Sequence, residues 1–237
     1  MNQIMIMLEN QVRADYGKPL PLPQIEASQK MNDDFGVRAK LSDLLRKPYR
    51  GRTLLMVVFN VFQTIGYYGF ASWVPTLLLQ QGVTITHSLL YAAMIAVAAP
   101  IGPLIGLLIA DRWERKYVIV ATSLTILFAG LLFSQVSGVV TIVGLGVCLT
   151  LASNILSYTY HAYQSELFPT AIRARAVGFV YAWGRLAAIF TSFMIAAVLR
   201  AAGVPGVFWF IGAAMLIIAV AIYWFGPKTK NIAVESI

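Results

Sequence analysis

Six long apolar segments constrain the fold of this 237-residue sequence more than any other feature. Each segment is long enough to cross a hydrocarbon core of ~30 Å. Because backbone N–H and C=O groups must be paired inside lipid, the segments are expected to be helices. The sequence therefore predicts an all-α membrane protein with six transmembrane helices. The predicted spans lie at about residues 53–80, 88–110, 117–135, 139–163, 174–199 and 206–226.

The regions outside the spans are short or polar. Residues 1–50 are predicted to be a cytoplasmic linker with short amphipathic helices, because apolar residues recur there at helical spacing. The six-helix bundle is predicted at 51–227 and a cytoplasmic tail at 228–237. Only 12% of all residues are charged, roughly half the fraction of a soluble domain. The composition thus agrees with a membrane protein.

Lysine and arginine are distributed unevenly between the two sides of the predicted bundle. Nine of the eighteen precede the first span, and the links after spans two and four carry five more. The links after spans one and three carry none, and only Arg200 departs from the pattern. Since basic loops stay in the cytoplasm, both termini are predicted to be cytoplasmic, in a protein of the plasma (inner) membrane. The net charge of +8 alone could suggest nucleic acid, but the cations flank apolar spans, so we expect a lipid bilayer as partner and no nucleic acid.

Polar side chains inside the spans mark a candidate site. Asn60, Gln63 and Tyr67 share one helical face of the first span, and such groups must face protein or water. They either line a cavity, which we favour, or bond to neighbouring helices. Arg185 lies deep in the fifth span, near the depth at which transporters bind substrate. The predicted substrate-binding residues are Asn60, Gln63, Tyr67, Tyr68, Asn154, Tyr158, Tyr181, Trp183 and Arg185.

Catalytic and metal chemistry find little support in the sequence. Ser157 and His161 are neighbours at i and i+4, which invites comparison with a hydrolase, but no nucleophile motif or third member accompanies them. Cys148 is the only cysteine and there are two histidines. We therefore expect no enzyme activity, no metal site and no cofactor.

Charged residues cluster where the second and fourth spans end. An acid followed by bases can form ion pairs across helix ends, although a turn that only sets topology is the alternative. We predict that these residues form a cytoplasmic gate. Its predicted members are Asp111, Arg112, Arg115, Glu166, Arg173 and Arg175.

Several of these motifs resemble those of the major facilitator superfamily. Asp111-Arg112 with Arg115-Lys116 resembles its repeated cytoplasmic loop motif, with Glu114 where the family usually has glycine. The run 166–173, Glu-Leu-Phe-Pro-Thr-Ala-Ile-Arg, is similar to the element after the tenth helix of sugar-porter-like and metabolite:proton symporter members. Residues 226–230 resemble the segment after their last helix, and 67–76 resemble their seventh helix.

The resemblance covers about residues 40–230 and implies a known architecture. The six spans would correspond to helices 7–12 of a twelve-helix carrier, and the first 50 residues to the end of its central linker. Such carriers rock two six-helix halves around a central site. The chain is therefore expected to be a fragment, with the N-terminal six-helix half as its missing partner. A half-size carrier that dimerises is the other possibility.

The function that follows is secondary transport of a small polar metabolite, with proton coupling implied by the resemblance. Arg185 favours an anionic substrate, because a guanidinium can hold a carboxylate by two parallel hydrogen bonds. Tyr67, Tyr68 and Trp183 could stack on a ring. An organic or aromatic carboxylate is therefore the first expectation and a sugar the second. A membrane scaffold or receptor without transport is the alternative from another class.

Overall fold

The computed structural model describes residues 41–110, 112–136 and 138–229. The predicted linker helices before residue 40, the gate residue Asp111 and most of the predicted tail lie outside these described residues. Within the described ranges, helices joined by short turns account for the fold. The predicted all-α class is therefore confirmed.

Seven α-helices follow a short 3-10 helix at Leu41–Leu45 in the described part of the chain. They are α1 Arg50–Ala71, α2 Val74–Gln80, α3 Ile85–Ala96, α4 Ile101–Ala110, α5 Arg115–Phe133, α6 Val139–Glu166 and α7 Thr170–Phe225. Five helical stretches among them are long and apolar enough to cross a membrane. These stretches are Arg50–Ala71, Ile85–Ile109, Arg115–Phe133, Val139–Glu166 and Ile172–Phe225.

Proline residues divide the first two predicted spans. The first, expected as one helix over 53–80, breaks at Ser72 and Trp73 because Pro75 occupies the first turn of α2. Proline lacks an N–H and its ring clashes with the preceding turn, so it begins helices more readily than it continues them. The second span separates into α3 and α4 at a turn over residues 97–100, which ends with Pro100.

The last two predicted spans are the two arms of α7. Gly203 has φ 64° and ψ −166°, which kinks the helix between an arm at 170–202 and an arm at 204–225. A positive φ is accessible to glycine because it has no Cβ. Helix α7 begins directly behind Pro169, so Arg173 and Arg175 lie in its first turns and not in a connecting loop.

Several contacts bring distant parts of the chain to one end of the bundle, which we call the basic end. The Arg52 guanidinium donates to the Leu167 carbonyl at 3.1 Å, joining the start of α1 to the end of α6. The Tyr163 hydroxyl donates to the Pro227 carbonyl at 2.8 Å, joining α6 to the segment after α7. At the opposite end, the Gln81 amide donates to the Phe133 carbonyl at 3.3 Å.

Helix α1 packs mainly against α7, and α5 packs against both α6 and α7. The interior is apolar and aromatic. Phe59 of α1 stacks on Tyr160 of α6 with ring centroids 4.0 Å apart. Phe70, Phe133 and Phe208 form an aromatic cluster nearer the opposite end. The first contact joins α1 to α6 and the aromatic cluster joins α1 to α5 and α7. The space between α1, α6 and α7 holds the candidate site.

Candidate functional site

A polar cavity of about 200 Å³ lies between α1, α6 and the first arm of α7. Its walls carry hydroxyl, amide, imidazole and guanidinium groups, in contrast to the apolar interior around it. The lining residues are Asn60, Gln63, Thr64, Tyr67, Tyr68, Ser157, Tyr160, His161, Tyr181, Gly184 and Arg185. Asn60 lies near the middle of α1 and Arg185 near the middle of the first arm of α7. The cavity is therefore at mid-depth in the bundle.

Arg185 supplies the positive charge of this cavity. Its guanidinium donates to the Tyr68 hydroxyl at 3.0 Å and lies over the Tyr181 ring, 4.4 Å from the ring centroid. The aromatic face attracts the cation, and the hydroxyl fixes its direction. None of the lining residues is acidic. The arrangement holds a cation ready and leaves donor groups of the five-donor guanidinium for another acceptor.

Hydrogen bonds within the chain hold the wall of the cavity that α1 and α6 form. The Asn60 side-chain amide donates to the Tyr160 hydroxyl, and the Thr64 hydroxyl donates to the Asn60 backbone carbonyl at 2.7 Å. A Cβ atom on Gly184 would lie 2.9 Å from the Asn60 amide oxygen, so α7 approaches α1 closely only because this position is glycine. Asn60 in this wall is buried.

A second cavity, of about 110 Å³, adjoins the first. Tyr67 lines both cavities. The second lies between α1, α3 and α6 and is mostly apolar, with Asn154, Ser153 and Thr150 as polar exceptions. Small side chains form much of its wall: Ala71, Ala92, Ala96 and Ala99. The two cavities together offer a charged compartment beside an apolar one.

The structure brings six of the nine predicted substrate-binding residues to the polar cavity. They are Asn60, Gln63, Tyr67, Tyr68, Tyr181 and Arg185. Asn154 lines the second cavity, where its amide donates to the Thr150 carbonyl at 2.8 Å. Tyr158 packs beside Gly106 of α4 and lines neither cavity. Trp183 is 44% exposed and meets the ring of Phe179 on another face of α7.

Several residues that line the polar cavity were not predicted from the sequence. Ser157, Tyr160 and His161 come from one face of α6, and Thr64 comes from α1. The signal was present, because 157, 160 and 161 have the i, i+3, i+4 spacing of neighbours on a helix. From the sequence, a hydrolase role for the Ser157–His161 pair lacks support, and a hydrogen-bonding role is favoured for His161. Its place in the cavity indicates a lining role instead.

The charged residues at the basic end are partly brought together. Arg115 at the start of α5 and Glu166 at the end of α6 form an ion pair of 2.9 Å, with side chains 17% and 25% exposed. The Arg173 Nε donates to the Phe168 carbonyl at 3.1 Å, across the short connection between α6 and α7. Arg112 and Arg175 are exposed and also engaged in interactions. One pair of the predicted gate residues, Arg115 and Glu166, is therefore close enough to form an ion pair between α5 and α6.

Glu114 adds a contact that the sequence did not suggest. Its carboxylate accepts the backbone N–H of Thr229 at 2.9 Å, which ties the segment after α7 to the start of α5. Glu114 stands where the resembled loop motif usually has glycine, so this tie uses a residue that departs from the pattern. The basic end is thus held by Glu114, Tyr163 and the Arg115–Glu166 pair together.

Replacing Glu166 with glutamine is expected to loosen the basic end. The change removes the ion pair with Arg115. A partly exposed ion pair contributes roughly 0.2–1 kcal/mol of stabilisation. A cysteine placed at Ser157, in a Cys148→Ala background, should then react about 1.5- to 5-fold faster with a water-soluble maleimide. Lys228→Gln, at an exposed position of the same end, is the control. Equal rates in both variants would show that the pair does not control access to the cavity.

Comparison with known proteins agrees with this architecture. A family model described as "Sugar (and other) transporter" matches residues 21–237. The metabolite transport protein YyaJ of Bacillus subtilis (strain 168) is 33% identical over 96% of this chain and 49% of its own length. The metabolite transport protein YdjK of Escherichia coli (strain K12) is 30% identical over 99% of this chain and 50% of its own length. The chain spans about half the length of these relatives.

Solved structures show the same fold. The major facilitator superfamily proton:xylose symporter XylE, bound to 6-bromo-6-deoxy-D-glucose, has a TM-score of 0.68 at 20% identity. The match covers 90% of this chain and 47% of the symporter chain. With five helical stretches able to span a membrane, this chain is an integral membrane protein. It belongs to the sugar (and other) transporter family and has the major facilitator superfamily fold.

Proposed function

We propose that the chain forms one half of a secondary active carrier and binds the carboxylate of a small metabolite through Arg185. The observation that carries this proposal is the setting of the guanidinium. It faces a mid-depth cavity, is oriented by the Tyr68 hydroxyl and the Tyr181 ring, and has no acid among the lining residues. A carboxylate can take two parallel N–H donors of a guanidinium, which gives a charge-assisted contact with defined direction.

A second six-helix half is part of the proposal. The chain spans about half the length of its relatives, and carriers of this kind bind substrate between two halves near the midplane. Tyr181 and Arg185 are exposed although they lie at mid-depth. We assign the six predicted spans to helices 7–12 of such a carrier. The other half would then form the facing wall of the cavity.

The adjoining apolar cavity favours a substrate with a ring. Ala92, Ala96 and Ala99 leave room beside Tyr67, which borders the charged cavity as well. Three relatives, at 27%, 28% and 26% identity, are named a niacin transporter, a benzoate transport protein and a gentisate transporter. Niacin, benzoate and gentisate each combine a carboxylate with an aromatic ring. We therefore propose a small aromatic carboxylate as the substrate class.

A sugar is the second candidate. The side-chain amides of Asn60 and Gln63 and the hydroxyls of Thr64 and Ser157 line the polar cavity. Amides and hydroxyls are suitable partners for sugar hydroxyls, because each can donate or accept. In this case Arg185 would act as a hydrogen-bond donor to a neutral oxygen, and a carboxylate would have no advantage.

Reconstituted uptake separates a carrier from a scaffold or receptor. The chain is co-expressed with the N-terminal half of the Bacillus subtilis relative, and vesicles are assayed with labelled benzoate, nicotinate and xylose. We expect uptake with both halves present and none with either half alone. An inward proton gradient should drive it. Among the described residues the acids are Asp43, which precedes α1, and Glu114 and Glu166 at the basic end, so a titrating carboxylate at mid-depth would belong to the other half. Assembly of both halves without uptake of any probe would favour the scaffold.

The orientation of the chain is also a prediction. We expect the basic end and both termini in the cytoplasm, with residues 81–87, 134–138 and 201–205 on the far side. Single cysteines in a Cys148→Ala background can be labelled with an impermeant maleimide on intact cells. A cysteine at Val83 should react in intact cells, and a cysteine at Glu114 should react only after the membrane is permeabilised. The reverse labelling pattern would invert the topology.

A further inference from the structure

An apolar groove lies on the surface of the bundle at the basic end, apart from the two cavities of the candidate site. It has a volume of about 400 Å³ and lies between the start of α1 and the end of α7. The lining residues are Gly51, Leu54, Leu55, Val58, Ala221 and Phe225. Leu54 and Phe225 are 61% and 77% exposed, so the groove is open at the surface. Its apolar walls are suited to a hydrocarbon chain.

The length and depth of the groove follow from helix geometry. Gly51, Leu54, Leu55 and Val58 have the i, i+3, i+4, i+7 spacing of one helical stripe, which runs for roughly 10 Å along α1. A Cβ added to Gly51 would meet nothing within 4 Å. The space above this glycine is therefore open, and it forms the part of the groove nearest the end of the helix.

Basic residues surround the same end of the groove. Arg50 precedes Gly51 and lies one helical turn before Leu54, so it shares that side of α1. Arg46 and Lys47 are exposed just before the helix. Trp224, 69% exposed beside Phe225, is a residue type that favours the membrane–water interface. The groove thus has a cationic rim near the start of α1 and apolar walls along its length.

We propose that this groove binds an anionic phospholipid, with one acyl chain along the α1 stripe and the phosphate group at Arg50. Charge and shape both support this occupant, because basic pockets between transmembrane helices bind anionic headgroups and the groove adds an apolar channel below them. Lys47 and Arg46 provide further positive charge at the headgroup level. The proposal is independent of the substrate that the carrier moves.

Native mass spectrometry of the purified full chain can test this site. The chain is titrated with phosphatidylglycerol and, separately, with phosphatidylcholine of the same acyl chains. Phosphatidylglycerol should remain bound about fivefold more tightly, as expected for ~1 kcal/mol from a cation near the headgroup. Arg50→Gln should lower this preference, whereas Arg200→Gln, at an exposed arginine outside the groove, should keep it.

A matched pair of glycine variants tests the groove itself. Gly51→Leu should fill the apolar channel and abolish the tight phosphatidylglycerol complex. Gly144→Leu is the control, because Gly144 is also helical with nothing within 4 Å of an added Cβ but lies outside the groove. Equal binding of the two lipids to the unaltered chain, or equal effects of the two glycine variants, would overturn the proposal. Lipid binding that appears only after removal of residues 1–40 would instead show that the chain covers its own groove.

Discussion

Arg185→Gln is expected to raise the KM for benzoate uptake about 10- to 100-fold in the carrier assembled from both halves. Hydrogen bonds to a charged partner are worth roughly 1.5–3 kcal/mol, and 1.4 kcal/mol is a factor of ten. Glutamine keeps a polar side chain but loses the charge and the paired donors. It also loses the cation–π contact with Tyr181. Initial uptake rates over a range of benzoate concentrations measure the effect.

Two further variants separate substrate binding from a structural role of Arg185. Arg185→Lys should recover only part of the affinity, because an ammonium keeps the charge but cannot form two parallel bonds in one plane. Arg200→Gln should leave the KM unchanged, since Arg200 lies at the end of the same arm of α7 and outside both cavities. Loss of the protein from the membrane in Arg185→Gln, restored when an acid of the other half is neutralised, would instead indicate a fixed ion pair.

Gly146→Leu is expected to destabilise the bundle strongly. A Cβ on Gly146 would overlap the side chain of Ile95, which is buried where α3 packs on α6. Overpacking of an interior commonly costs about 1–3 kcal/mol, and a leucine at this contact adds three more carbons beyond the Cβ. The yield of monodisperse protein in fluorescence-detected size exclusion, and its apparent Tm, should both fall sharply.

Gly144→Leu provides the matched control for this prediction. Gly144 lies two residues earlier in α6, is exposed, and has nothing within 4 Å of an added Cβ. The two variants therefore share helix, substitution and side-chain hydrophobicity and differ only in the face that they alter. Similar yields for both would show that the close α3–α6 contact at Ile95 is not needed for the fold.

Much of the architecture could be predicted because the membrane simplifies the problem. Apolar length alone indicates helices, and the motifs around Arg115 and Glu166 indicated the superfamily that the comparisons then showed. The breaks inside the first two predicted spans were missed. Hydropathy does not register that Pro75 lies in the first turn of a new helix or that Pro100 lies in the turn between α3 and α4, since both lie within continuous apolar runs.

The candidate site was partly predictable for a different reason. The polar stripe of α1 and the lone arginine of α7 stand out in apolar surroundings, and the structure brings them to one cavity. Tyr160 and Trp183 show that residue type alone does not identify which aromatic residues line the cavity. Both are aromatic residues in spans, yet Tyr160 is buried in the site and Trp183 is partly exposed on another face. The rotation of each helix about its axis depends on packing that one sequence does not reveal.

Contacts at the basic end could not be predicted at the level of atoms. The Arg115–Glu166 pair joins two helices whose ends are far apart in sequence, and the Glu114–Thr229 bond depends on how the segment after α7 turns back. The charge pattern indicated which end these residues share, but not which partners they choose.

Competition between benzoate, benzamide and xylose tests the central claim most directly. Benzoate and benzamide have nearly the same shape, and only benzoate carries the charge that Arg185 is proposed to bind. In the carrier assembled from both halves, benzoate should inhibit uptake of labelled benzoate at least tenfold more strongly than benzamide or xylose, the factor expected for ~1.4 kcal/mol of charge-assisted bonding. Equal inhibition by benzamide, or stronger inhibition by xylose, would contradict a carboxylate site at Arg185.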